Sequence, residues 1–210
     1  MSKKILFLLL IAFIGKDAGA QNRTHTVGVL GGAFAKRTLT ARSYPNAEIN
    51  VSPAAGIFYS YRFSKRIGTE TSFLFRKEYD KRVYTLVVSE NDPDGPGVTL
   101  RHNYINVPVR LVVGLNNSEQ TNWRVNALFG GSVQKYLGSV ARSEFDGEKV
   151  PGEINFYLRK PVFFADGGLE IGYVFKEVYA VSLNAAYRYQ LFDDNRDKGF
   201  YSLVKFGRMF

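Results

Sequence analysis

The chain has 210 residues, no Cys, 1 Trp, 13 Tyr and 17 Phe, and a formal net charge of +9. That length suits one sizeable domain. The lack of Cys excludes a disulfide framework, a thiolate nucleophile and a Cys-ligated metal, and the slightly polar mean hydropathy argues against a bundle of membrane helices.

The first segment is an export signal by pattern. A basic start, Met1 to Lys4, precedes the apolar run Ile5 to Ile14, and Ala18-Gly19-Ala20 gives a small-x-small site before Gln21. This predicts a secretory signal peptide over residues 1–20 and one mature domain over residues 21–210. The apolar run is too short for a membrane anchor, which needs about 20 residues. Export without Cys suits a bacterial envelope protein.

The mature chain then reads as a series of period-two runs, the signature of strands. Thr24 to Phe34 is a Gly-rich first strand. Ala54 to Phe63 puts Ile57, Tyr59, Tyr61 and Phe63 on one face and Gly56, Ser60 and Arg62 on the other. Ile67 to Tyr79 sets Phe73, Phe75 and Tyr79 against Glu70, Ser72 and Arg76. Arg101 to Leu115 sets Ile105, Val107, Val109, Leu111 and Val113 against Tyr104, Asn106 and Arg110. Trp123 to Leu137 sets Trp123, Val125, Ala127, Phe129 and Val133 against Arg124, Asn126, Ser132 and Gln134. Val162 to Phe175 sets Phe163, Leu169, Ile171 and Tyr173 against Asp166, Gly168, Glu170 and Gly172. Tyr179 to Phe192 sets Val181, Leu183, Tyr187 and Tyr189 against Ser182, Asn184, Arg188 and Gln190. Phe200 to Phe210 closes the set, with Val204, Phe206 and Phe210 on one face and Leu203, Lys205 and Gly207 on the other.

Short connections such as Lys176-Glu177-Val178 alternate with long ones such as the segment around Asp92–Gly95. Alternating short turns and long loops, an even strand number and an apolar-out, polar-in code describe an outer-membrane barrel. The predicted fold is therefore all-β: an eight-stranded antiparallel up-and-down transmembrane barrel, with both termini in the periplasm. A lipocalin-like soluble barrel is the rival. It needs an apolar cup, whereas here the inner face carries Arg62, Glu70, Arg76, Arg110, Arg124, Asp166, Glu170, Arg188 and Lys205. From hairpin register, two interior ion clusters are expected, Glu70 with Arg62 and Arg110, and Asp166 with Arg188.

The final strand, with Val204, Phe206 and Phe210 on its outer face, resembles the assembly signal of bacterial outer-membrane proteins, which implies handling by the barrel assembly machinery. Arg208 departs from that pattern, which favours an apolar residue there. Tyr104 to Gly114, YINVPVRLVVG, resembles the aromatic-x-x-(I/V)-P-apolar strand of the small outer-membrane β-barrel family of Bacteroidetes-type bacteria, the PorT-like or porin-family proteins; Gly167 to Phe175, GGLEIGYVF, is similar to later strands of that family. The resemblance spans about residues 24–210 and implies the barrel fold and outer-membrane location. Some relatives belong to the type IX secretion apparatus.

Little in the chain points to chemistry. His102, with Ser89, Ser139 or Ser143, would be needed for a lipid hydrolase, but a lone rim His is read as solvated. Asp92–Gly95 and Asp193–Asp197 lack the spacing of a calcium loop and read as turns. Gly28 to Gly32 imitates a phosphate loop but lies inside a strand. No enzyme activity, cofactor, metal or nucleic-acid partner is expected. The partners implied are outer-membrane lipids and lipopolysaccharide, whose phosphates would meet loop cations such as Lys36, Arg101 and Lys160, and an envelope protein complex. The leading functional reading is a structural or accessory subunit with a charge-filled lumen, because eight strands leave room only for side chains. A small pore or hydrophobic-ligand conduit is the alternative, and a lipid hydrolase a third.

Overall fold

The computed structural model describes residues 25–37, 49–64, 66–82, 98–116, 121–143, 160–192 and 198–210. The signal segment, Asp92–Gly95 and Asp193–Asp197 lie outside them. The strands are β1 (His25–Arg37), β2 (Ile49–Arg62), β3 (Ile67–Arg82), β4 (Val98–Gly114), β5 (Trp123–Ser143), β6 (Val162–Phe175), β7 (Tyr179–Gln190) and β8 (Lys198–Met209). Each pairs antiparallel with its chain neighbours, and β1 pairs with β8, so the sheet closes on itself. Closure leaves no unpaired edge, which is the condition for strands to sit in lipid.

Alternation decides which face each residue takes. Val29, Ile57, Phe73, Val109, Phe129, Leu169, Leu183 and Val204, one from each strand, all point outward and are 50–58% exposed. A belt of large apolar side chains around the outside is the inverse of a soluble barrel and matches a lipid-facing surface. Rings gather at the end that carries the short turns and both ends of the sheet's chain. There Trp123 meets Tyr173 at 5.1 Å between centroids, and Tyr179 stacks on Phe175 at 5.5 Å and on Phe206 at 6.0 Å. This end is called the turn end, and the opposite one the loop end.

The strands run further toward the loop end than alternation alone indicates. β2 starts at Ile49 rather than Ala54, β4 at Val98 rather than Arg101, and β5 continues to Ser143 rather than stopping at Leu137. The last difference has a local cause. Tyr104 pairs with Tyr136 while Asn103 pairs with Gly138, so Leu137 is an extra residue in β5. Such a bulge shifts the inside-outside phase by one, and a strict period-two reading ends where the phase breaks. Gly138 adopts φ +155°, which L side chains rarely adopt.

Candidate functional site in the lumen

The inward side chains form three layers. The middle layer is largely apolar, built from Phe34, Leu74, Leu128, Phe164, Tyr201 and Leu203, each no more than 2% exposed. Phe34 and Tyr201 stack with centroids 4.7 Å apart. Three arginines lie on these rings: Arg188 at 3.7 Å from the Phe164 centroid, Arg76 at 5.0 Å from Phe34, and Arg110 at 5.2 Å from Tyr201. Guanidiniums over aromatic faces keep their charge while filling space with flat, apolar surface. Inward Leu and Phe from β1, β3, β5, β6 and β8 thus add an apolar layer to the charge-filled interior expected from the sequence.

Below this layer, toward the turn end, is an ion network. Glu70 on β3 stands across the ladder from Ser60 and from Arg110, and its Oε1 lies 3.6 Å from Arg110 Nη1. Lys205 Nζ donates to Glu70 Oε2 at 2.6 Å and also pairs with Glu170. Arg62 donates to Asn126 Oδ1 at 2.9 Å, and Asn126 donates in turn to Glu170 Oε1 at 2.8 Å. The organising cation is therefore Lys205, which the sequence places inward but in neither expected cluster.

Asp166 stands directly opposite Arg188, as hairpin register demands, yet the two form no hydrogen bond. No hydrogen bond within 3.5 Å reaches either Asp166 oxygen, although Ser132, Arg110 and Arg188 all act on its carboxylate. The expected opposition of Asp166 and Arg188 is present in the ladder, but the Arg188 guanidinium lies on Phe164 and donates to Gln134 Oε1 at 2.7 Å. The acidic centre at this height is Glu78. It accepts from Arg76 at 2.9 Å and lies 3.5 Å from Lys36. Arg76 also donates to Gln134 at 3.0 Å. Glu78 continues the inward series Glu70, Ser72, Leu74, Arg76, so its parity was the signal available.

His102 is not the solvated rim residue expected. It is 5% exposed, with its ring 6.2 Å from Tyr104 and 6.0 Å from Tyr136. Its ladder partners are Glu78 on β3 and Ser139 on β5. Ser89 lies outside the described residues. Among the described residues, no group of three His, Asp or Glu side chains is placed to hold a metal. The Gly28 to Gly32 segment is strand β1, with Gly28 paired to Phe58 and Gly207.

The terminal residues lie on the outer surface. Val204 and Phe206 are 54% and 46% exposed. Phe210 N donates to His25 O at 2.9 Å, continuing the β1–β8 ladder. The Arg208 guanidinium sits 5.1 Å from the Phe210 ring, so the departure from the apolar pattern is absorbed by stacking.

The turn end of the lumen opens into a vestibule of about 50 Å³, whose walls include Arg62, Arg124, Glu170, Gly172, Ser182 and Lys205. Gly172 is the ladder partner of Arg124 and of Ser182, and a Cβ there would stand 3.0 Å from Ser182 Cβ.

No protein-family model and no curated protein matches the chain. Solved structures do. The outer membrane protein OprG from Pseudomonas aeruginosa aligns with TM-score 0.55 at 13% identity, covering 89% of this chain and 96% of that one. Ail, the attachment invasion locus protein of Yersinia pestis, aligns with TM-score 0.48 at 14% identity over 89% and 99% of the two chains. Neisserial surface protein A aligns with TM-score 0.44 at 11% identity over 91% and 100%. The fold is that of an outer-membrane β-barrel. Of these three, OprG alone superposes well enough to bear on the fold, and at that identity it bears on the fold only.

Proposed function

We propose that this chain is an integral outer-membrane protein whose closed barrel serves as an anchor or accessory subunit of an envelope complex, and not as a pore or an enzyme. The observation that carries this reading is the middle layer of the lumen. Phe34, Phe164 and Tyr201, each 1–2% exposed, lie across the axis with Arg76, Arg110 and Arg188 stacked on them. Buried rings with guanidiniums stacked on them support a lumen filled by side chains, as the small diameter of an eight-stranded barrel favours. Function then falls to what projects from the two ends. The resemblance of Tyr104 to Gly114 and Gly167 to Phe175 to PorT-like proteins supports a role in envelope assembly or secretion, with the turn end and both termini in the periplasm.

Planar-bilayer recording on the purified protein tests the non-conducting reading. The expected result is no discrete conductance steps; stable steps that vanish in a heat-denatured sample would overturn it. Crosslinking in native membranes, followed by identification of what co-purifies, tests the subunit reading, and recovery of the barrel alone at every crosslinker length would count against it.

A further inference from the structure

The vestibule at the turn end holds a guanidinium, that of Arg124, with no carboxylate within ion-pair distance among the described residues. Its Nη1 lies 3.3 Å from Met209 Sδ, and a thioether is a weak acceptor. The charges that act on Arg124 are Arg62, of like sign, and Glu170. Glu170 is already committed, to Lys205 and to Asn126. Glu70 is committed to Lys205 and Arg110.

Depth separates the deep, paired charges from the two arginines near the mouth. Glu70, Glu170 and Lys205 are 4%, 8% and 2% exposed, whereas Arg62 and Arg124 are half-buried nearer the mouth. Arg62 reaches Asn126, which stands two residues from Arg124 on the same strand and the same face. Two guanidiniums thus converge on a cavity several times larger than one water requires. A guanidinium presents a planar fork of donors that matches a carboxylate or a phosphate, and a second one beside it adds charge of the right sign.

We propose that the turn-end vestibule binds one oxyanion, a carboxylate or a phosphate group, between the guanidiniums of Arg124 and Arg62. The anion supplies the counter-charge that Arg124 lacks and relieves its repulsion from Arg62. The site is independent of whether the barrel conducts or anchors a complex.

The test is thermal unfolding of the purified full-length barrel in detergent micelles, titrated with inorganic phosphate or with acetate, ionic strength being held constant with chloride. A ligand that binds only the folded state raises the midpoint saturably. The wild-type midpoint is expected to rise with phosphate. In Arg124→Gln the apparent affinity falls about tenfold or more, as loss of one charge-assisted hydrogen bond implies. Arg62→Gln weakens it as well. Arg208→Gln, at the same end but on the outer surface, leaves it unchanged. A matching response to acetate identifies a carboxylate, as an acidic peptide would present, as sufficient; a response to phosphate alone assigns the site to phosphate. Heat-modifiable gel mobility shows whether each variant is a closed barrel. No saturable rise in the wild type, or an equal rise in wild type, Arg124→Gln and Arg62→Gln, overturns the proposal.

Discussion

Asp166 and Arg188 face each other across the β6–β7 ladder, and neither Asp166 oxygen accepts a hydrogen bond. Direct opposition on a sheet brings Cβ atoms to about 4.5–5.5 Å, but a long side chain chooses among several partners from there. Arg188 chooses the Phe164 ring and Gln134. Asp166 and Glu70, each expected at the centre of an ion cluster, therefore differ in their partners.

Glu70→Gln removes a charge that holds both Arg110 and Lys205, and it is expected to cost about 3–5 kcal/mol. Asp166→Asn removes a charge that makes no hydrogen bond, and its loss is expected to be the smaller by at least about 1 kcal/mol. Urea unfolding midpoints in micelles or liposomes would rank them. The reverse order would show that Asp166 is engaged in solution.

Lys205 is the shared cation between Glu70 and Glu170. Lys205→Met leaves two buried carboxylates without it and should destabilise more than Glu70→Gln. Adding Glu70→Gln and Glu170→Gln to Lys205→Met should recover part of the loss, since neutral groups carry a smaller burial penalty. Additive losses across the series would show that the three residues do not act as a unit.

Gly28 sits at the seam where β1 meets β8. A Cβ there would stand 2.6 Å from the Phe58 ring and 2.6 Å from Gly207 Cα. Gly28→Val is expected to cost about 1–3 kcal/mol through overpacking, read as a lower unfolding midpoint. An unchanged midpoint would mean that the seam relaxes freely.

Deleting Phe210 removes its hydrogen bond to His25 at the last rung between β1 and β8. The deletion should lower the yield of heat-modifiable, folded protein more than removal of residues 92–95 does. Equal yields would show that the last rung is dispensable for closure.

The Phe34–Tyr201 stack is the centre of the lumen layer. Replacing both by Ala should cost several kcal/mol, at roughly 3–5 kcal/mol per fully buried ring. Because the two rings touch, the combined loss should differ from the sum of the single losses.

The amino-acid pattern by itself determined the sheet. Apolar side chains recur with period two from Ile57 through Phe206, so each strand has one face for lipid and one for the interior, and face assignment for Glu70, Arg110, Asp166 and Arg188 follows from parity alone. Tight turns such as Lys176 to Val178 fix register locally, which is why Phe175–Tyr179 and Asp166–Arg188 pair as their spacing requires. Contacts across the lumen were not legible. Whether Lys205 on β8 reaches Glu70 on β3, or Arg62 on β2 reaches Asn126 on β5, depends on barrel width and strand stagger. Those exist only once β1 has closed on β8. The Leu137 bulge belongs to the same class, because an extra residue is defined only against a partner strand. Periodicity is a property of one strand and ladder register of two neighbours, while the charge network belongs to the closed tertiary structure.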